Sequence, residues 1–254
     1  MSLALSLLCG LAFAAPPSVA VTVAVGPGVY RPLYPPSPAE AEVSVARFSL
    51  AVEPVTNAEF MAFIAVEPRW GRDRIERLFA DEGYLGDWET DRVAGGALLS
   101  TAPVTSVSWY AARAYCRAQG GRLPSEAEWE LAAAASSTAF DARRDPVFLA
   151  QILAWYGEPT PTRLRAVGGP ANRWGARDLH GLVWEWVEDW SASLLSTDAR
   201  GTEGEGAVRF CGGGAAGTAG TGDYASFMRT AFRASLTASS TVRSLSFRCA
   251  WDLP

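Results

Sequence analysis

Histidine is almost absent from this chain, which has one, and cysteine is scarce, with four among 254 residues. There is no C-x-x-C and no H-x-x-x-H, so neither zinc nor a histidine-based metal site finds enough ligands, and a classical triad is hard to build around His180 alone. Charge is thin as well: 19% of residues are acidic or basic, and no run of Lys or Arg interrupts the mild acidity. At a net charge of −5 no basic face is available to neutralise phosphates, and no nucleic-acid partner is expected. Beyond the first 20 or so residues, no stretch approaches the roughly 20 apolar residues of a membrane span.

What the chain does have is apolar bulk. Nearly half its residues are hydrophobic and ten are Trp, a composition that folds around a packed interior and fits one large domain. The run Leu3 to Phe13 followed by Ala12-Phe13-Ala14 reads as a signal peptide over residues 1–14, cleaved before Ala15, with export to the periplasm or outside the cell. Lipoprotein anchoring at Cys9 is not expected, because the bulky Leu8 precedes it. With the leader removed, Cys116, Cys211 and Cys249 remain, which in an oxidising compartment gives one pair and one leftover.

Residues 15–42, with Pro32, Pro35, Pro36 and Pro38, suit an extended lead-in, and a single domain is expected over 43–254. Thr56-Asn57-Ala58-Glu59 has capping-box spacing ahead of Phe60, Phe63 and Ile64, which predicts a helix over about 57–66. A second short helix is expected over Arg72 to Asp81, then loop to about residue 98. Ser108 is a plausible N-cap for a helix that places Ala112 and Cys116 on one face and ends at Gly120-Gly121. Ser125 to Glu128 forms another capping box after Pro124, so Glu126 to about Ala135 should be helical with Trp129 inward. From Asp141 onward, Gly, Pro, Ser, Thr and aromatic punctuation predicts loops and short strands.

Several strings occur in a telling order. Val55-Thr56-Asn57 comes first, then Pro103-Val104 with Val107-Ser108-Trp109, then Gly121-Arg122-Leu123-Pro124-Ser125-Glu126-Ala127-Glu128-Trp129-Glu130. Asn172-Arg173-Trp174-Gly175, Val183-Trp184-Glu185-Trp186 and Phe247-Arg248-Cys249-Ala250 follow. Together they resemble the sulfatase-modifying-factor family, the formylglycine-generating enzymes, over roughly residues 43–252. The resemblance implies an α+β, loop-rich fold related to C-type lectins, with short helices around small antiparallel sheets. It also implies a Cys116–Cys249 disulfide, and Arg122 and Arg248 are expected to pair with internal carboxylates or carbonyls.

Active members of that family hold copper between two cysteines in a loop after a Gly-Gly-Ser-like motif, which Gly212-Gly213-Gly214 resembles here. The matching loop, Ala215 to Thr230, contains no cysteine, and Cys211 lies on the other side of the glycines, so copper is not expected. Calcium is a softer implication of the resemblance: Glu185 matches a family ligand, while Leu182 stands where an Asn usually sits. The favoured reading is therefore a non-catalytic scaffold or binding module whose partner is an unidentified protein, peptide or small molecule. One alternative is an enzyme with divergent, oxidase-related chemistry, for which Asp223, Tyr224, Ser226 and Arg229 are the pocket candidates. The other is a C-type-lectin-like ligand-binding protein.

Overall fold

The computed structural model describes residues 20–33, 35, 41–90, 93–95, 99–190 and 221–253. Cys9, the leader, Cys211 and the glycine run Gly212 to Gly214 lie outside the described residues.

Strands β1 (Thr22–Val25), β2 (Gly28–Tyr30), β3 (Val43–Val45) and β4 (Phe48–Ala51) come first. Helix α1 (Asn57–Val66) follows, then a single 3₁₀ turn at Pro68–Trp70 and the small pair β5 (Trp88–Thr90) and β6 (Val93–Ala94). Helices α2 (Trp109–Ala118), α3 (Glu126–Ala133) and α4 (Pro146–Gly157) lead to β7 (Trp184–Glu185). Helix α5 (Thr221–Ala234) and strands β8 (Leu245–Ser246) and β9 (Ala250–Asp252) close the chain. The fold is α+β. Its largest sheet is antiparallel in the order β1-β4-β9, β2 pairs with β3 and β5 with β6, and β7-β8 is a short parallel pair.

The helix starts obey local chemistry. Thr56 and Ser125 each accept the amide three residues on while Glu59 and Glu128 reach back, completing both capping boxes. Ser108 caps α2, and Gly120 at φ +72° ends it in a conformation that glycine adopts without strain. Burying Phe60, Phe63 and Ile64 of α1 against Ala112, Tyr115 and Cys116 of α2 builds one core. A second core packs Val25, Phe48 and Leu50 of the sheet on Trp129, Ala132 and Ala133 of α3. The Cys116–Cys249 disulfide links α2 to the segment entering β9, with both residues buried.

Four local expectations are corrected. Arg72 to Asp81 forms turns rather than a helix: Asp81 donates its amide to Ser239 and Arg72 bonds the Trp88 carbonyl, so tertiary partners replace the helical ladder. The stretch to residue 98 is not all loop, since it holds the β5-β6 pair. The region after Asp141 contains two helices, α4 and α5. The Pro-rich lead-in is also part of the fold, because β1 pairs with β4 along four residues and β2 pairs with β3. Among the described residues, no helix is long and apolar enough to cross a membrane.

Candidate functional site

Helices α3 and α5 meet along complementary charged faces. Glu126 and Glu130 stand four residues apart on α3, and Arg229 and Arg233 four apart on α5, so each pair lines one side of its helix. Arg229 grips Glu130 with two bonds, Nε to Oε1 at 2.8 Å and Nη2 to Oε2 at 2.7 Å. Arg233 Nη1 donates to Glu130 Oε1 and to Glu126 Oε1, each at 2.9 Å. Arg229 also donates to the Tyr156 hydroxyl of α4 at 3.0 Å and to Ser226 Oγ at 3.1 Å. All four charged groups are largely buried, so the network survives only because the charges are matched and bonded.

This environment sorts the carboxyls. Burial acts to raise the Glu130 carboxyl, but the two guanidiniums outweigh it and hold it at about 2. At Glu126 burial prevails over the nearer Arg233 and lifts the carboxyl above its usual range. Burial likewise pushes the Tyr30 phenol far above its ordinary value, with Glu130 and Glu126 adding to the effect. His180 sits behind the network. Its Nε2 lies 2.9 Å from the Ala133 carbonyl, which can only accept, so Nε2 carries the proton and Nδ1 is a bare, sealed lone pair. Burial, reinforced by the Arg229 charge, lowers the imidazole to about 4.

Trp129 joins this network to a second one. Both arginines lie over its ring, with Arg233 at 5.2 Å from the centroid, while its indole N–H donates to Glu185 Oε2 at 2.8 Å. Glu185 is clamped by Arg248 through Nε at 2.8 Å and Nη2 at 2.7 Å. Arg248 spends its remaining N–H groups on the carbonyls of Ala51, Val52 and Arg177, so all five of its donors are used and nothing of it reaches solvent.

One side of the α3–α5 network faces open space among the described residues. A cavity of about 330 Å³ lies between β2 and α3, walled by Tyr30, Glu130, Leu131, Phe140, Arg143 and Trp174. The gaps touching Arg229 hold about 10 and 20 Å³, a water's worth at most. Of the four pocket candidates, Ser226 and Arg229 are therefore brought together, but in an internal clamp rather than around open space. Tyr224 is exposed and stacks on Phe227, and the side chain of Asp223 lies outside the described residues. Among the described residues, no cluster of three or more His, Cys, Asp or Glu is placed to hold a metal. The sequence reading missed Glu126, Glu130, Arg233, Tyr156 and Tyr30. Two complementary i,i+4 charge pairs in apolar stretches were the available signal for the first three.

The sulfatase-modifying factor enzyme 1-like domain matches residues 14–253. The formylglycine-generating enzyme of Streptomyces coelicolor is 30% identical over 263 residues, covering 85% of this chain and 83% of that protein. The inactive C-alpha-formylglycine-generating enzyme 2 of Bos taurus is 26% identical over 194 residues, covering 58% and 61%. The serine/threonine-protein kinase pkn1 of Chlamydia caviae is 31% identical over 157 residues, 59% of this chain, and the match spans about a quarter (24%) of that longer protein.

Proposed function

This chain belongs to the sulfatase-modifying factor enzyme 1-like family, and we propose from that premise that it is an exported, non-catalytic member: a binding module that keeps the fold without the copper-dependent oxidation of cysteine. The observation that carries this reading is the buried Cys116–Cys249 disulfide. It consumes two of the four cysteines, leaving Cys9, in the expected leader, and Cys211. Cu(I) in this setting is held by a pair of soft thiolates, and one remaining thiol with none contributed by α5, which contains no cysteine, does not fit that ion. The closed state of the Arg229 clamp also supports the reading, because its polar groups satisfy one another instead of facing a substrate. One similar protein is itself named inactive. A disulfide of this kind suits an oxidising compartment, in line with export.

The module's ligand, a protein, peptide or small molecule, enters at the cavity beside Tyr30 and Glu130, whose size falls in the range of small-molecule sites. Calcium has no place at Glu185 in this reading. Both carboxylate oxygens are taken by Arg248 and Trp129, and the adjacent guanidinium repels a divalent cation. Excess chelator should leave the melting temperature unchanged, and a clear drop would restore a calcium role.

The deciding experiment incubates the purified protein with Cu(I) and a cysteine-containing sulfatase-type peptide, following metal uptake and aldehyde formation by mass spectrometry. Neither should occur while the circular dichroism spectrum stays native. Tight copper binding with aldehyde product would bring Cys211 into an active site and overturn the proposal.

A further inference from the structure

A second groove, which shares no residue with the Glu130 network, runs between the C-terminal end of α1 and the outer face of α2. It encloses about 430 Å³ and is lined by Phe63, Glu67, Arg69, Trp70, Tyr110, Arg113, Ala114, Arg117 and Ala118. Three of these residues are Arg against one Glu. Arg113 and Arg117 stand four residues apart on α2, a like-charge spacing that costs helix stability, and Arg69 faces them from the 3₁₀ turn. Arg113 is committed to Glu188, with Nε to Oε1 at 2.7 Å, and lies 4.9 Å from the Trp109 ring centroid. Arg69 shares Glu67 at 3.5 Å. No carboxylate answers Arg117 among the described residues. Its place in the last turn of α2 also complements the helix dipole, but that accounts for one cation and not for the groove.

The floor supplies the second observation. Trp70 is 8% exposed, yet its indole N–H is buried without an acceptor. An unmet buried donor is uncommon in native proteins, and in the wall of a groove it is what an incoming acceptor would satisfy. Phe63, Trp70, Tyr110, Ala114 and Ala118 give the same groove apolar lining.

We infer that this groove binds a small organic anion, a carboxylate or phosphate carried on an aromatic or apolar body, with Arg117, Arg69 and the Trp70 N–H taking the anionic oxygens and the apolar side chains contacting the body. The inference is independent of whether the chain has lost its oxidase chemistry, since the groove shares no residue with the Glu130 site.

Titrating the full protein calorimetrically with benzoate, phenyl phosphate and the neutral isostere benzamide tests it. At least one anion should bind, benzamide should bind about tenfold or more weakly, and the two anions' affinities tell which group is preferred. Arg117 is exposed and its side chain holds no ion pair among the described residues, so Arg117→Ala should lose about tenfold in anion affinity while melting like the parent. Trp70→Phe, which keeps an apolar ring but removes the N–H, should weaken the anion more than benzamide. Equal binding of benzoate and benzamide, no binding of either anion, or unchanged affinity in Arg117→Ala would each overturn the assignment.

Discussion

Glu130 is one carboxylate shared by two buried guanidiniums, and that asymmetry decides what its loss would do. Glu130→Gln leaves Arg229 and Arg233 buried with half their compensation gone, so urea denaturation should show a loss of about 3–5 kcal/mol. Glu126→Gln should cost well under half of that. Burial already lifts the Glu126 carboxyl, so the folded state pays to keep it ionised, and a neutral amide removes that cost along with one hydrogen bond to Arg233. Equal losses in the two variants would sink the argument. The same chemistry sets the acid limb of stability. His180 is held at about 4, below the ordinary imidazole value of about 6.5, so between those values the unfolded chain binds the extra proton. Its contribution is complete above pH 6.5 or so and is lost as pH falls through 4. Glu130, held at about 2, keeps contributing lower still, losing its share as pH drops from about 4.5 through 2. Because the chain has one histidine, a single imidazole proton resonance can follow the first window, and a midpoint near 6.5 would refute it.

At the scale of elements, what was legible in the sequence was whatever is specified within a few residues. The capping boxes at Thr56 and Ser125 each name their own partner three positions on, and α1 and α3 begin where those boxes place them. Ser125→Ala should cost about 1 kcal/mol, while Glu128→Ala should cost more, since Glu128 also holds Arg122 through bonds of 2.6 and 2.7 Å. Thermal melts of the two variants, with the order reversed, would show the box rather than the ion pair to dominate. Helix α4 was equally local, with Asp145 capping Val147 and Phe148 and Pro146 in the first turn, but the surrounding Gly, Pro and Ser drew the reading toward loop. Helix α5 was hidden for another reason. Its inner face spends Arg229 and Arg233 on partners a hundred residues away, so its helical period carries charge where apolar residues would announce it. The turns of Arg72 to Asp81 show the converse: Ile75 and Phe79 have helical spacing and pack on the core, yet their amides close separate turns, on Gly71 and Glu76, instead of a continuous ladder.

Long-range closure is what local pattern could not reveal, and it defines the whole molecule. The family resemblance supplied one such link, the disulfide across 133 residues, because the two cysteines sit inside recognisable strings. No string marked β1. Thr22-Val23-Ala24-Val25 is four residues of apolar alternation in a Pro-rich stretch, and only the structure shows it pairing Thr22 with Ala51 through Val25 with Phe48. Val25 is fully buried, packed in the cluster that holds Phe48, Leu50, Trp129 and Val187. Gly28 of β2 lies so close to Leu131 that an added Cβ would meet its methyl at 2.6 Å, so the strand is seated against the helix that presents Glu130. Tyr30, three residues into β2, then walls the cavity where the ligand is proposed to enter. A protein beginning at Val43 would therefore expose the β4 edge, uncover the second core and open the site at once. Losing the burial of Val25 alone costs about 1.5–3 kcal/mol, a large part of a domain's usual margin. Such a truncation should melt with little cooperativity and bind a hydrophobic dye at temperatures where a chain beginning at residue 20 stays folded. Matching melting curves for the two would mean that the pairing of β1 and β2 adds little to the stability of the domain.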